Sequence, residues 1–203
     1  MKIICVGRNY ADHAKELKNP VPKEPVIFMK PDSAIIRNNQ PFFIPKFSQN
    51  IHYEVELVLK IKKIGKNVSE KYANKYYDHI GIGIDFTARD LQSKLKEKGL
   101  PWEKAKGFDG SAPLGKFISK TNIKDLTNIN FHLDINKETV QKGNTKNMLF
   151  SFDAIIAHVS QYFALKIGDL IFTGTPAGVG SVNINDQLEC YIEDEKLLSF
   201  RVK

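Results

Sequence analysis

Apolar and polar residues alternate most clearly in Ile51-His52-Tyr53-Glu54-Val55-Glu56-Leu57-Val58-Leu59-Lys60-Ile61. Side chains at 53, 55, 57, 59 and 61 face one way, and His52, Glu54, Glu56 and Lys60 face the other. This predicts a strand over 52–62. Further strands are expected at 2–6, 34–37, 42–44 and 81–85, and in the last third at 129–135, 170–173, 187–192 and 197–202. Helical spacing is clearest over 151–163, where Phe152, Ile155, Ile156, Val159 and Phe163 recur behind a serine cap, with Asp153 in the first turn. Shorter helices are expected at 10–17, within 70–78, and at 87–98, the last stopped by Gly99 with Pro101 beyond it. Residues 19–31 read as an irregular, proline-rich passage. Few helices among many strands define an α+β fold that is predominantly β.

Length and composition narrow the picture. At 203 residues, 42% hydrophobic and 26% charged, the chain is expected to form a single domain over 1–203; its 9 prolines and 13 glycines are scattered, and no repeat appears. No stretch approaches the roughly 18 apolar residues of a membrane span, and residues 1–6 are too short for a signal-peptide core. A soluble, cytoplasmic protein without a membrane partner is the expectation. Cys5 and Cys190 stand far apart, which excludes disulfide scaffolds and cysteine-rich zinc modules. The net charge of +7 raises the question of nucleic acid. Only Arg8, Arg37, Arg89 and Arg201 are arginines, however, and the lysines are spread along the chain, so the cations read as a solvating surface.

Chemistry concentrates around acidic residues. Glu54 and Glu56 share one face of their strand with Cα atoms roughly 7 Å apart, close enough to lean toward a common cation, although a surface strand with solvated charges has the same pattern. Asp85 ends the Gly81-Ile82-Gly83-Ile84 strand, whose glycines allow close approach of a backbone or ligand; it supplies a third carboxylate, or else caps the helix that follows. Three carboxylates without cysteine suit Mg²⁺ or Mn²⁺ better than zinc. Arg89 and Gln92, at i and i+3, either bind a carboxylate together or form an exposed polar face. His13 and Glu16, also at i and i+3, are either an imidazole oriented to act as a base or an ordinary surface pair. Lys106 sits among loop formers and informs only in combination. The glycine-rich stretch 173–180 lacks the ending of a phosphate-binding P-loop, so nucleotide binding is not supported.

Together, Gly7-Arg8-Asn9-Tyr10-Ala11-Asp12-His13, Phe28-Met29-Lys30-Pro31 read as a turn, His52-Tyr53-Glu54-Val55-Glu56-Leu57, Asp85-Phe86-Thr87-Ala88-Arg89-Asp90, the 102–109 stretch and Thr173-Gly174-Thr175-Pro176 resemble the fumarylacetoacetate hydrolase (FAH) family, most closely its small acylpyruvase members. The likeness runs in order over essentially the whole chain. It implies that Glu54, Glu56 and Asp85 ligate Mg²⁺ or Mn²⁺, that His13 and Glu16 form a water-activating dyad on a mobile segment within 1–20, and that Lys106 stabilises developing negative charge. Arg89, Gln92, Thr175 and Lys106 would contact a small 2-keto or diketo acid. The resemblance also implies a mixed β-sandwich roll with a few short helices, and a homodimer. Tyr53 departs from the pattern, since relatives often carry histidine there. The reaction this favours is hydrolysis of acylpyruvates to pyruvate and a carboxylic acid, because a tautomerase needs no activated water. Oxaloacetate decarboxylation and keto–enol tautomerisation, including isomerisation of 2-hydroxyhepta-2,4-diene-1,7-dioate, are alternatives on the same site. A non-catalytic basic binding protein is the alternative of another class.

Overall fold

The computed structural model describes residues 1–16 and 20–203. Among these, the first half of the chain forms β1 (Ile3–Gly7), α1 (Ala11–Glu16), β2 (Val26–Lys30), β3 (Ile35–Ile36), β4 (Ile51–Tyr53), β5 (Val55–Ile61), α2 (Glu70–Ala73), β6 (Tyr77–Ile84), β7 (Thr87–Ala88) and α3 (Arg89–Glu97). The second half adds α4 (Glu103–Lys106), β8 (Ala112–Ser119), β9 (Asn130–Ile135), β10 (Glu138–Asn144), α5 (Phe152–Tyr162), β11 (Leu170–Phe172), β12 (Gly180–Ser181), β13 (Gln187–Ile192) and β14 (Glu195–Arg201). A mixed sheet of seven strands runs in the order β2-β1-β11-β5-β6-β8-β3, beside a four-stranded sheet β10-β9-β13-β14 and a small sheet β12-β4-β7. The expected α+β fold dominated by strands is the one observed. No helix of the described residues is long and apolar enough to cross a membrane.

The main core lies between the two larger sheets, where Leu57, Leu59, Ile80 and Ile82 meet Phe131, Leu133, Leu198 and Phe200, with Ile155, Ile156 and Val159 of α5 closing one side. Helix α5 ends within a residue of the expected range, and Ser151 caps it by accepting from the Ala154 amide at 3.1 Å. A second apolar cluster occupies the opposite face of the large sheet, joining Val58 to Ile3, Cys5, Leu170 and Phe172. Strand β5 is therefore enclosed on both sides. The alternation read from the sequence holds, but the face that carries Glu56 is covered rather than solvated, and only Lys60 reaches water.

Four local expectations are corrected. The strand expected over 52–62 breaks at Glu54: β4 pairs with β7 and β12, whereas β5 pairs with β6 and β11, so the chain passes from one sheet to another at that residue. The 19–31 passage contains a full strand, β2, antiparallel to β1, and Lys30 ends it rather than sitting in a turn. Thr87 and Ala88 belong to the small sheet, so the helix expected from 87 starts at Arg89. The segment 42–44 contributes only an isolated bridge between Phe42 and Val202, because its backbone pairs with residues 201–203, where β14 is ending. The C-terminal residue of the helix expected over 10–17, part of the N-terminal segment 1–20, and Asn19 of the irregular passage lie outside the described residues.

The two glycines of β6 leave room for protein, not ligand. A Cβ at Gly81 would lie 2.9 Å from the Phe117 ring, and one at Gly83 would lie 2.8 Å from Phe172 and 3.0 Å from the Pro113 carbonyl oxygen. Gly83 stands directly opposite Glu56 in the sheet, so the Phe172 ring seated over it helps close the carboxylate's face. Gly83→Ala is expected to lower unfolding free energy by about 1–3 kcal/mol through overpacking against a backbone that cannot yield, measurable by urea denaturation.

Candidate metal centre and cleft

Three elements deliver the acidic residues to one point. Glu54 occupies the junction between β4 and β5, Glu56 points from β5 into the covered face, and Asp85 follows β6, its amide bonded to the Glu54 carbonyl at 2.8 Å. All three are buried, at 5%, 2% and 1% exposure, and one oxygen from each lies within 4.8 Å of the others. The reading of Glu54 and Glu56 as solvated surface charges is excluded by that burial. Asp85 does not cap α3 either; Ala88 occupies the cap position with no side-chain bond to the helix.

Buried carboxylates need counter-charges, and three cations supply them. Lys106 donates to Glu54 Oε2 at 2.8 Å and to Asp85 Oδ2 at 2.6 Å. Arg89 pairs with Glu54 Oε1, which also accepts from Thr87 Oγ1 at 3.1 Å. Lys30, with a fully buried side chain, stands 2.8 Å from Asp85 Oδ1. Its ammonium donates to the Phe86 carbonyl at 3.2 Å, to the Ser111 carbonyl and Oγ at 3.0 Å each, and to the Lys106 carbonyl. Lys30 thus neutralises Asp85 and pins the end of α4 that presents Lys106. Lys106 itself lies on this four-residue helix rather than in a loop.

The Thr173-Gly174-Thr175-Pro176 stretch serves Glu56. Gly174 adopts a left-handed φ of 104° and turns its amide to donate to Glu56 Oε2 at 2.7 Å. A Cβ there would approach Asn9 Cβ to 2.6 Å, and Asn9 in turn donates to the Thr173 carbonyl at 2.8 Å. Thr175 Oγ1 accepts from Gln141 Nε2 at 3.0 Å, while Gln141 Oε1 accepts from the Val55 amide at 2.9 Å, where the chain passes from β4 to β5.

Burial drives the carboxyl of Glu54 upward, but Lys106, Arg89 and His13 outweigh it and hold the group well below the usual carboxylate range. Glu56 goes the other way: burial and the Asp85 charge raise it well above that range, against the pull of the Gly174 amide. For Lys106, burial favours the neutral amine, yet Asp85 and Glu54 reverse this and keep it charged.

The carboxylates line a narrow cleft of about 40 Å³ whose wall also includes His13, Gln92 and Thr175. His13 is buried, with Nδ1 3.1 Å from Glu16 Oε2, and Glu16 Oε1 accepts from the Gly178 amide at 2.9 Å. A proton on Nδ1, donated to Glu16, leaves Nε2 with a lone pair. Arg89 Nη1 donates to Gln92 Oε1 at 2.5 Å, so these two act as one unit, fastened to Glu54. Phe28 and Trp102, with ring centroids 5.9 Å apart, form an aromatic wall beside Lys106. Of the site residues singled out in the sequence, all but Glu16 line one cleft, and Glu16 is joined to it through His13. Lys30, Asn9 and Gln141 were missed.

The family model described as fumarylacetoacetate (FAA) hydrolase, C-terminal, matches residues 2–203. The chain belongs to this family. It is 42% identical over 201 residues to the oxaloacetate tautomerase FAHD1, mitochondrial, of Bos taurus, covering 99% of this chain and 91% of that protein. It is 44% identical over 192 residues to a mitochondrial oxaloacetate decarboxylase of Dictyostelium discoideum, covering 94% and 88%. Among solved structures, a putative fumarylacetoacetate hydrolase family protein of Yersinia pestis superimposes with a TM-score of 0.96 at 38% identity, covering 100% of this chain and 93% of that one. The fumarylpyruvate hydrolase of Pseudomonas aeruginosa, solved with Mn²⁺ and pyruvate, gives 0.93 at 34% identity, covering 100% and 89%.

The donor set of this FAH-family chain fits a hard divalent cation. It is all oxygen and buried, and Asp85 Oδ1 receives no hydrogen bond, because its contact with Lys30 is an ion pair off the hydrogen-bonding direction. Two predictions follow from the charges. Lys30→Met is expected to cost about 3–5 kcal/mol of stability, because Asp85 loses a buried counter-charge, as read from denaturant unfolding. Because the folded protein holds a proton on Glu56 more tightly than the usual value of 4.5, metal-free protein loses that part of its stability as pH rises through the elevated value. Coordination requires the ionised form, so the gain in Tm on adding Mg²⁺ or Mn²⁺ is expected to widen as pH rises and shrink as it falls. Thermal scans across pH, with the metal and with EDTA, measure it.

Proposed function

We propose that this protein is a divalent-metal-dependent tautomerase that interconverts the enol and keto forms of oxaloacetate. The observation that carries the reading is the His13–Glu16 pair, whose imidazole borders the same cleft as three carboxylates suited to a cation. The names of the relatives favour this reaction over acylpyruvate hydrolysis. Glu54, Glu56 and Asp85 would hold Mg²⁺ or Mn²⁺, which when bound supplies Lewis acidity toward the 2-keto acid end.

His13 Nε2 takes the proton from C3 of the keto form, and the electron pair moves into the C2–C3 bond. Glu16 holds the ring in place and stabilises its positive charge. The Lys106 ammonium would compensate negative charge growing on the C2 oxygen, which takes a proton from solvent while His13 gives the one from C3 back to solvent. Arg89 and Gln92, already coupled to each other, offer N–H groups to the substrate carboxylate, and Thr175 borders it. The aromatic wall of Phe28 and Trp102 excludes water from the carbanion-like carbon. An imidazole held in this way moves a proton at carbon as readily as at water, so the dyad does not by itself select hydrolysis.

Acylpyruvate hydrolysis is the second reading, favoured by the similarity to the fumarylpyruvate hydrolase. It would use the same residues, with His13 activating water against the C4 carbonyl. Loss of enol absorbance from oxaloacetate, and formation of pyruvate from oxaloacetate and from acetylpyruvate, separate the reactions. Accelerated ketonisation that is abolished by EDTA is expected. His13→Ala should lower the catalysed rate by about 10²–10⁴-fold while Mn²⁺ affinity is retained. An enol decay unaffected by wild-type protein, together with cleavage of acetylpyruvate, would replace the first reading with the second.

A further inference from the structure

Gln141 is a buried amide that the reaction above does not use, and its neighbours fix which way it points. The register of β10 against β9 shifts between Thr139 and Gln141, an irregularity of the kind that re-aims a side chain, and Gln141 is only 1% exposed. Its Oε1 accepts from the Val55 amide at 2.9 Å, and its Nε2 donates to the Pro176 carbonyl and to Thr175 Oγ1 at 3.0 Å each. The Val55 amide can only donate and the Pro176 carbonyl can only accept, so each on its own requires this orientation of the amide. A flipped amide would lose both bonds.

The consequence falls on Thr175. Its hydroxyl carries one proton, and an oxygen that accepts from Nε2 must direct that proton elsewhere. Among the described residues no second acceptor takes it, while Thr175 borders the cleft of the three carboxylates. Gln92 is treated in the same way: Arg89 Nη1 occupies its Oε1, so it has only N–H groups left to offer the cleft. Two neutral side chains are thus left as donors in one small space.

We propose that Gln141 is a positioning residue that acts through Thr175: it commits the hydroxyl to donate into the cleft, where it binds a carboxylate oxygen of the 2-keto acid. The proposal rests on the tautomerase reading for the identity of that ligand. An unconstrained hydroxyl would present a proton or a lone pair with equal ease and would lose rotational freedom when a ligand arrived. With one lone pair already engaged, the Thr175 hydroxyl is set for an anion beforehand. Gln141 also braces the backbone at Val55 and Pro176, a second role that a variant can retain while the first is removed.

The test measures, by calorimetry above neutral pH, the affinity of Mn²⁺-saturated protein for pyruvate in wild type, Gln141→Leu and Gln141→Glu, each also combined with Thr175→Val. Gln141→Leu removes the donor to Thr175 and the acceptor for Val55. Gln141→Glu keeps an acceptor for Val55 but withdraws the N–H from Thr175, and as a carboxylate it takes the hydroxyl proton for itself. Affinity is expected to fall severalfold in Gln141→Leu, whose hydroxyl is merely freed, and about tenfold or more in Gln141→Glu, whose hydroxyl is reversed. Both losses should shrink markedly in the Thr175→Val background, because the group through which Gln141 acts is gone. A bracing role alone makes Gln141→Leu the weaker binder and leaves each loss unchanged by Thr175→Val; either result overturns the proposal, as does a wild type that does not bind pyruvate. Should Gln141→Leu fail to fold, Gln141→Glu decides through the two backgrounds. In ketonisation of oxaloacetate the same variants should raise KM more than they lower kcat, as loss of a contact made before and during reaction requires. A wild type that binds pyruvate but does not accelerate ketonisation overturns the tautomerase reading instead, and the affinities still decide the role of Gln141.

Discussion

The structure is organised around the neutralisation of acidic groups that have been taken out of water. Glu54, Glu56 and Asp85 are buried where an unpaired charge is untenable; Lys30, Lys106 and Arg89 arrive from β2, α4 and α3 to meet Asp85 and Glu54, and the Gly174 amide serves Glu56. Those three cations come from elements with few other reasons to adjoin. Strand β2 is an edge strand, α4 is a single turn, and α3 is largely polar. Strand β2 is anchored by its pairing with β1 and α3 by Leu91 and Leu95 against the core, and the charged residues tie the three elements to one point. Fold and site are therefore the same problem solved once, and the apolar clusters on either side of β5 supply the dry surroundings that make the pairing compulsory.

Much of this was legible along the chain. Periodic segments announced themselves: α5 with its serine cap and β13 over 187–192 fall where apolar spacing puts them. The acidic residues were legible because their types and order resemble a family whose members share them. What escaped notice did so for identifiable reasons. Strand β2 is bracketed by prolines at 20, 22, 25 and 31, which mask a five-residue run as irregular chain. Strand β8 contains Pro113 and Gly115, and β10, reading Glu-Thr-Val-Gln-Lys-Gly-Asn, has the composition of a loop and gains its strand character only from β9 beside it.

Buried polar residues are the harder case. Lys30, Asn9 and Gln141 look like any solvated residue in the sequence, since nothing local distinguishes a lysine that faces water from one that faces an aspartate across the fold. The partners of Lys30 lie 55 or more positions away, at Asp85, Phe86, Lys106 and Ser111. A weak signal did exist in Lys30: a cation directly after the apolar run Val26–Met29 and before a proline, in a place where a strand end can be turned inward.

The break at Glu54 has a mechanical side. Glu56 rides on the large sheet, whereas Glu54 rides on the seam where the small sheet begins, so the gap between their oxygens is fixed by how one sheet is tilted against the other. Gln141 bridges that seam through Val55 and Thr175. The spacing of the carboxylates is thereby set by the relative pose of two sheets and not by side-chain rotation alone, and distant substitutions in β4, β7 or β12 can retune it without touching an acidic residue.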